Sequence, residues 1–307
     1  VGSEMCIRDR PEIDQKVEDL LKQMTVEEKL GYIGGVNWMY TKSIDRLGIH
    51  RMKMSDGPQG LGTNGKSTAY PSTVTLAATW NENLAYQYGK ALGRDCRARN
   101  VNVILGPAVN IYRAPMCGRN FEYMGEDPYL TSRICVGYIK GVQDQGVMAT
   151  VKHFVANNSD YDRNNISNDI DERTLNEIYF PAYKAAIQEA EVGAVMTSYN
   201  LMNGIYTTEN PWLLKEVLRN QWGFKGLVMS DWGSTHYCVP AAKGGLDLEM
   251  AGGEKMNPKD MAYYLKTGDV TMDMVDEKVR HILRILIAFG FKDGTQADKN
   301  IPLDDPK

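Results

Sequence analysis

Short apolar runs alternate with longer amphipathic stretches along most of this chain. The short runs are too short for helices and are bounded by glycine or polar residues, which is typical of buried strands. They lie at residues 52–55, 101–105, 148–151, 194–197, 227–230 and 246–248. The longer stretches repeat apolar residues at helical spacing. They predict helices at about residues 11–23, 82–99, 131–144, 172–189, 211–220, 257–266 and 274–289.

This alternation of strands and helices continues from residue 52 to residue 289. It predicts an α/β fold with a parallel sheet, and at this length we expect a TIM-like (β/α)8 barrel, irregular in places, as a single domain over residues 11–291. A doubly wound open sheet is the alternative. Near the N-terminus, Thr25-Val-Glu-Glu28 forms a capping box and predicts that a further helix begins there.

The composition narrows the classes of function. Of the 307 residues, 43% are hydrophobic and 24% are charged, which predicts a substantial core. The net charge of −4 and the lack of any lysine or arginine block argue against a nucleic-acid partner. No apolar run reaches the roughly 18 residues of a membrane span. The cysteines form no C-x-x-C pair and the histidines no H-x-x-x-H spacing, so we expect no metal site and interpret the cysteines as buried apolar residues. Neither a dinucleotide fingerprint nor a P-loop occurs, and we expect no cofactor.

The two ends of the chain carry no folding signal. Residues 1–10 lack the basic start, apolar middle and cleavage site of a signal peptide, and we interpret them as a non-native, artefactual segment. Residues 292–307 are polar, contain two prolines and show no periodicity, so they predict a linker to an absent second domain. Because the native N-terminus would then be missing, a periplasmic, secreted or cytoplasmic location stays open.

Polar side chains follow the predicted strands at the end where each strand stops. Active sites of parallel barrels are built at this carboxyl-terminal face. Any strand that meets water also ends in polar residues, but here carboxylates, amides, hydroxyls and cations recur, which favours a site for a polyol. The residues are Asp56, Lys152, His153, Ser198, Tyr199, Asn200, Asp231, Trp232 and Glu249.

Asp231 and Trp232 follow the apolar strand at residues 227–230. A carboxylate there could act as a nucleophile or a base, and the indole offers an apolar face to a sugar ring. An aspartate after a strand is also a common N-cap for the next helix. Residues 227–232 alone therefore leave both interpretations open.

The longest loop-like segment, residues 106–128, is rich in glycine and proline yet dense in aromatic and charged groups. Ordered polar loops of this kind often line a site. Arg119 could reach a carboxylate or a pair of hydroxyls with its forked donors. We expect Glu122 and Glu126 to hold that arginine in place.

Together these segments resemble the N-terminal catalytic domain of family-3 glycoside hydrolases, the β-glucosidase and β-xylosidase group. The resemblance covers nearly everything from about residue 12 to residue 291, in the family's order. It is carried by Ser-Asp-Gly-Pro-Gln-Gly-Leu at 55–61, the loop at 106–130, Lys-His-Phe-Val-Ala-Asn-Asn at 152–158, and residues 196–200, 222–232 and 245–250.

The resemblance implies roles for particular residues. Asp231 matches the catalytic nucleophile of a retaining, exo-acting enzyme that hydrolyses terminal non-reducing β-D-glycosyl residues through a covalent glycosyl-enzyme. We expect a nearby Arg119 or Lys152 to keep the pKa of Asp231 low. Trp232 matches an aromatic wall of the subsite for the non-reducing sugar. The residues that match the lining of this subsite are Asp56, Arg119, Lys152, His153 and Tyr199.

The acid/base group of this mechanism is not apparent in the chain. The form of residues 152–158 resembles the branch whose acid/base glutamate comes from a following α/β sandwich domain, so we expect the chain to be a fragment that needs such a domain. Within the chain, Glu249 and His236 are the candidates. The expected partner is a β-linked oligosaccharide or an aryl β-glycoside. A β-xylosidase, a non-catalytic carbohydrate-binding barrel and a sugar phosphorylase are the alternatives.

Overall fold

A computed structural model describes residues 10–62, 66–292, 294 and 297–302. The predicted artefactual segment 1–10 lies outside the described residues except for Arg10. The strands are β1 Gly35–Val36, β2 Tyr40–Thr41, β3 Met54–Asp56, β4 Val103–Leu105, β5 Met148–Phe154, β6 Ser167–Asn168, β7 Ala194–Thr197, β8 Leu201–Met202, β9 Ile205–Tyr206 and β10 Leu227–Met229. The α-helices are α1 Pro11–Gln23, α2 Val26–Tyr32, α3 Thr73–Ala77, α4 Glu82–Ala98, α5 Pro128–Gln143, α6 Glu172–Thr174, α7 Pro181–Gln188, α8 Cys238–Gly244, α9 Pro258–Thr267 and α10 Met272–Ala288.

Five parallel strands form the main sheet, in the order β10-β7-β5-β4-β3. Single bridges continue it beyond both edges: Met229 pairs with Leu248, Gly34 with Glu249, and Tyr40 with Lys53. Because β1 and β2 pair with each other, these bridges link one edge of the sheet to the other. The predicted TIM-like barrel is confirmed as an irregular α/β barrel with parallel strands.

The strand predicted at residues 246–248 is wrong as a regular strand. Leu248 makes one bridge to Met229, and the Asp247 side chain, not a neighbouring main chain, accepts the Val228 N–H at 2.8 Å. The Asp247 carboxylate thus replaces one main-chain acceptor, and the pairing of this segment with β10 is limited to a single bridge. The five other predicted strands are confirmed: β7 has the predicted ends, and the other four differ by one to three residues at one end or both.

The helix predicted at residues 172–189 is broken into three pieces. A π-helical turn, Leu175–Tyr179, separates α6 from α7. Pro181 has no N–H to continue an α-helical ladder, and the Phe180 N–H reaches back five residues to the Leu175 carbonyl at 2.7 Å. The predicted helix at 211–220 is likewise π-helical, over Trp212–Gln221. The remaining predicted helices are confirmed, including α2 with its Thr25–Glu28 capping box.

Helices α4 and α5 approach each other closely because glycines face the contact. A Cβ atom added to Gly141 of α5 would lie 2.1 Å from the Tyr86 carbonyl oxygen of α4, and one added to Gly89 of α4 would lie 2.1 Å from the Tyr138 carbonyl oxygen. Cys96 and Cys135 are fully buried on this pair of helices, as predicted for apolar cysteines. No helix in the described ranges is long and apolar enough to cross a membrane.

A buried ionic network lies where α10 packs behind β10. Asp247 accepts from Arg219 Nη2 at 2.7 Å and lies 2.8 Å from His281 Nδ1. Lys278, which is 2% exposed, donates from Nζ to the Leu246 carbonyl oxygen at 2.7 Å. These contacts fix the strand-like segment that leads to the carboxyl-terminal face of the barrel.

Candidate active site

Asp231 stands at the end of β10 and is 7% exposed. Its Oδ1 accepts the Trp232 main-chain N–H at 2.7 Å. Its Oδ2 has no hydrogen-bond partner among the described residues. The next helix, α8, begins only at Cys238, so Asp231 is not an N-cap. The strand end therefore presents a buried carboxylate oxygen that has no hydrogen-bond partner among the residues the structure describes.

Arg119 brings a positive charge to this carboxylate. Its Nη1 lies 3.8 Å from Asp231 Oδ2, and its Nε donates to Glu122 Oε1. Glu122 is 3% exposed and holds the arginine as expected. No ion pair between Arg119 and Glu126 occurs in the described part of the chain, so that half of the expectation is wrong.

Lys152, on β5, lies between the buried Glu122 and the exposed Asp56. Its Nζ lies 3.8 Å from Glu122 Oε2 and 3.7 Å from Asp56 Oδ1. The Lys152 side chain is 3% exposed and the Asp56 side chain 55%. Asp56 therefore stands at the open side of the site, with the ammonium group beneath it.

His153, the next residue on β5, is fully buried. Its Nδ1 lies 3.2 Å from Asn110 Oδ1, and its Nε2 lies 3.6 Å from Asp231 Oδ2. Burial, together with the positive charges of Arg119, Lys152 and Arg163, lowers the pKa of His153 well below its usual value. The imidazole is thus neutral at physiological pH.

Aromatic groups border the same carboxylate. The Tyr199 hydroxyl donates to the Trp232 carbonyl oxygen at 3.0 Å, and Trp232 Nε1 donates to the Trp38 carbonyl oxygen at 2.8 Å. Arg163 lies over the Tyr199 ring, 4.1 Å from its centroid. The indole of Trp232 is therefore held by the β1–β2 turn, and the main chain of Trp232 is held by Tyr199.

The pKa of Asp231 is raised, not lowered as the sequence predicted. Burial of the carboxylate is the largest influence. The charges of Arg119 and Lys152, the Trp232 main-chain N–H and the nearby Tyr199 hydroxyl oppose it without overcoming it. Desolvation outweighs the cations because both lie beyond hydrogen-bond distance of Asp231. A desolvated carboxylate is a stronger nucleophile than a hydrated one, so this direction is compatible with covalent chemistry.

The two acid/base candidates within the chain differ in how they are held. Glu249 is 2% exposed and its oxygens accept main-chain N–H groups from Lys255 and Met256, at 2.6 to 3.1 Å. Glu249 therefore fixes the loop that contains Lys255 and Met256, and its oxygens have little hydrogen-bonding capacity left for proton transfer. The His236 ring stacks on Tyr206 with centroids 3.6 Å apart, and its Nε2 is buried without a partner in the described part of the chain.

The site combines carboxylates with cations, and each cation is shared between two acidic groups. Lys152 faces Asp56 and Glu122, while Arg119 faces Glu122 and Asp231. Over the described residues, no group of three or more His, Cys, Asp or Glu side chains is placed to hold a metal ion. Such alternating charges can accept from and donate to neighbouring hydroxyls of a sugar.

Comparison with known proteins identifies the family. The family described as "Glycosyl hydrolase family 3 N terminal domain" matches residues 23–285.

The chain belongs to glycosyl hydrolase family 3.

The predicted resemblance is thus confirmed. A family-3 relative named "Beta-glucosidase", from Rhizobium radiobacter, is 44% identical over 280 residues, covering 89% of this chain and 34% of that protein. "Thermostable beta-glucosidase B" from Acetivibrio thermocellus is 41% identical over 298 residues, covering 92% of this chain and 40% of that protein. The chain thus spans between a third and two fifths of the length of these relatives.

Solved family-3 structures have the same fold. Beta-glucosidase 3B from Thermotoga neapolitana, in complex with alpha-D-glucose, superposes with a TM-score of 0.87 at 37% identity, covering 93% of this chain and 45% of that one. Beta-glucosidase from Kluyveromyces marxianus, in complex with glucose, gives a TM-score of 0.88 at 34% identity, covering 92% and 35%. The fold of this family-3 chain is therefore the same as that of experimentally solved family-3 structures.

In this family-3 barrel, all seven site residues predicted from the sequence lie together, linked by the contacts above. Three neighbours were missed: Asn110, Trp38 and Arg163. Asn110 sits within the loop that the sequence singled out, and its spacing from His153 gives no sign of their contact. Trp38 lies in the turn between the short strands β1 and β2, and Arg163 lies in the long β5–β6 loop. Neither segment carries a periodic signal in the sequence.

Proposed function

We propose that this chain is the nucleophile-bearing barrel of a retaining β-glucosidase. Asp231 Oδ2 attacks the anomeric carbon of a terminal β-glucosyl residue, the glycosidic bond breaks and the leaving group departs with its oxygen. Water then hydrolyses the glycosyl ester with overall retention. The observation that carries the proposal is the unpartnered Oδ2 of a buried carboxylate at a strand end. Because the family-3 relatives are named beta-glucosidases, glucose is the favoured sugar over xylose.

The groups around Asp231 supply the sugar-binding part of this proposal. Asp56 and Lys152 offer an acceptor and a donor at the mouth, and His153 offers a ring nitrogen beside the nucleophile. Trp232 gives the apolar wall on which a sugar ring can lie, with Tyr199 holding its main chain. Hydrogen bonds from these groups that strengthen as the ring flattens would lower the barrier.

The proton donor to the leaving group lies, in this proposal, outside the barrel. The carboxylate of Glu249 accepts main-chain N–H groups from Lys255 and Met256, which leaves it poorly placed to donate. The relatives are longer than the matched region, which supports the expectation from the family resemblance that the acid/base glutamate comes from a following α/β sandwich domain. An isolated barrel should then form the glycosyl-enzyme only from substrates with good leaving groups.

A stoichiometric burst tests this proposal. With a 2,4-dinitrophenyl β-glucoside, the leaving group needs no protonation, so we expect rapid release of one dinitrophenolate per chain, followed by a slow steady rate. Asp231→Asn should abolish the burst. Asp19→Asn, at an exposed site on α1, is the matched control and should leave the burst unchanged.

Three results would count against parts of the proposal. A burst of the same size in Asp231→Asn would place the nucleophile elsewhere. Sugar binding by calorimetry in the wild type and Asp231→Asn alike, with no burst in either, would instead support the carbohydrate-binding barrel. A larger burst with a xyloside than with the glucoside would move the substrate preference to xylose.

A further inference from the structure

Asn110 holds His153 through several atoms at once. Asn110 Nδ2 donates to the His153 carbonyl oxygen at 2.9 Å, and its Oδ1 accepts the His153 main-chain N–H at 2.8 Å. The same Oδ1 lies 3.2 Å from His153 Nδ1. Tyr183 adds a hydroxyl donor to the His153 carbonyl at 2.6 Å, and the Tyr123 ring lies edge-on to the imidazole. Asn110 is 2% exposed, so water does not compete for these bonds.

The main chain of His153 decides which way the Asn110 amide faces. A main-chain N–H can only donate and a carbonyl oxygen can only accept, so a reversed amide would set donor against donor and acceptor against acceptor. Asn110 Oδ1 therefore faces His153 Nδ1. An amide oxygen only accepts, and Nδ1 must then carry the proton. In a neutral imidazole this leaves Nε2 as a bare acceptor.

We propose that Asn110 is a positioning residue that fixes His153 as the neutral Nδ1–H tautomer, with an unprotonated Nε2 beside the nucleophile. The inference rests on the proposed role of Asp231. Nε2 and Asp231 Oδ2 are 3.6 Å apart, and neither has a hydrogen-bond partner among the residues that the structure describes. With no donor aimed at it from His153, Oδ2 keeps a lone pair available for attack on the anomeric carbon.

This arrangement also defines how a substrate hydroxyl can enter. Two acceptors side by side require an incoming group that donates. A sugar hydroxyl that contacts both atoms therefore gives its proton to Nε2 or to Oδ2. If His153 carried a second proton, Nε2–H would pair with Asp231 and weaken it as a nucleophile. Asn110 thus acts on the reaction through the protonation state of His153.

Charges from several elements face the ring and act in the same direction. Arg119 comes from the β4–α5 loop, Lys152 from β5 and Arg163 from the β5–β6 loop, and each disfavours a positive charge on His153. Asp231, from the end of β10, is the carboxylate that opposes them. The tautomer, in contrast to the charge, is set by Asn110 through direct contact.

Nitrogen NMR of the histidine side chains in the full ¹⁵N-labelled chain reads the tautomer directly. The chain has four histidines, and the His153 signals are identified by their loss in His153→Gln. We expect a protonated Nδ1 and an unprotonated Nε2 at neutral pH. An Nε2–H tautomer or an imidazolium at neutral pH would overturn the inference, whatever the activity.

Asn110→Asp tests the causal role. The carboxylate still accepts from Nδ1–H, but it adds a negative charge and removes the donor to the His153 carbonyl. We expect the ring to take a second proton. Labelling of Asp231 by an activated 2-fluoroglucoside should then fall by about ten- to a hundred-fold at neutral pH and recover as the pH rises.

Asn102→Asp is the matched control, because Asn102 is also buried and its Oδ1 accepts a main-chain N–H, from Lys53 at 2.8 Å, at the other end of β4. It should change neither the His153 spectrum nor the pH profile of labelling. An Asn110→Asp variant that matches the wild type in both would overturn the assignment of Asn110. Should that variant not fold, the wild-type spectrum still decides. Wild-type labelling at another residue, with the expected tautomer, would reject the function of Asp231 and uphold the tautomer.

Discussion

Replacing Lys278 by methionine should change how the stability of the barrel depends on pH. Lys278 is 2% exposed, and burial lowers its pKa from 10.5 to about 8. Between these values the unfolded chain holds a proton that the folded chain has released. Stability contributed by this group therefore rises as the pH rises through that window, and it is lowest at neutral pH.

The pKa difference of Lys278 sets the size of the effect. The values of 10.5 and about 8 correspond to about 3 kcal/mol of opposition to the charge in the folded chain. About 2 kcal/mol of this is relieved between pH 7 and pH 9.5. Methionine removes the charge but leaves the Leu246 carbonyl oxygen without its donor, which costs about 1–3 kcal/mol. At pH 7 we therefore expect Lys278→Met to change the free energy of unfolding by less than about 2 kcal/mol.

Urea unfolding of the wild type and Lys278→Met at several pH values between 7 and 9.5 measures this difference. Tyrosines and cysteines titrate alike in both chains and cancel. The wild type should gain about 2 kcal/mol on the variant over this range. Lys266→Met, at an exposed position on α9, should show no such gain. Parallel pH curves for wild type and Lys278→Met would refute the reasoning.

Three further predictions follow from the contacts of the barrel. Gly141→Ala should lower the free energy of unfolding in urea by about 2 kcal/mol or more, because the added Cβ would overlap the α4 main chain. Gly252→Ala, with open space around the added Cβ, should change it by no more than about 0.5 kcal/mol. His281 is half-buried, and desolvation and Arg219 lower its pKa from 6.5, so stability should fall as the pH falls below that value. His281→Gln should flatten this slope in urea midpoints. Lys152→Met should keep the thermal transition but slow labelling of Asp231 by an activated 2-fluoroglucoside about ten- to a hundred-fold, and an unchanged rate would remove Lys152 from the sugar site.

The parts of the fold that the sequence predicted correctly are those with a local periodic signal. Strand β7 and helix α1 begin and end as expected, because apolar run length and helical spacing are properties of neighbouring residues. The segment 246–248 has the same apolar signal but forms one bridge, since the Asp247 carboxylate takes the place of a main-chain acceptor. That substitution depends on Arg219 and His281, distant in sequence, and no local pattern reports it.

In the site, too, local sequence predicts some features, whereas others depend on contacts between residues distant in sequence. Asp231, Lys152 and Asp56 could be predicted because each stands within two residues of the carboxyl end of a strand, where parallel barrels place their chemistry. The direction of the Asp231 pKa could not, since it depends on how completely the fold removes water from the carboxylate. The contact of Asn110 with His153 depends on how the loop at 106–128 returns over β5, which local sequence does not determine.

The most direct test of the central claim is peptide mass spectrometry after incubation with an activated 2-deoxy-2-fluoro-β-glucoside. The fluorine slows release of the glycosyl-enzyme, so the attacked oxygen stays marked. We predict one fluoroglucosyl group per chain, attached to Asp231 and absent from Asp231→Asn. A label on any other residue, or an equal label in Asp231→Asn, would contradict the assignment of Asp231 as the nucleophile.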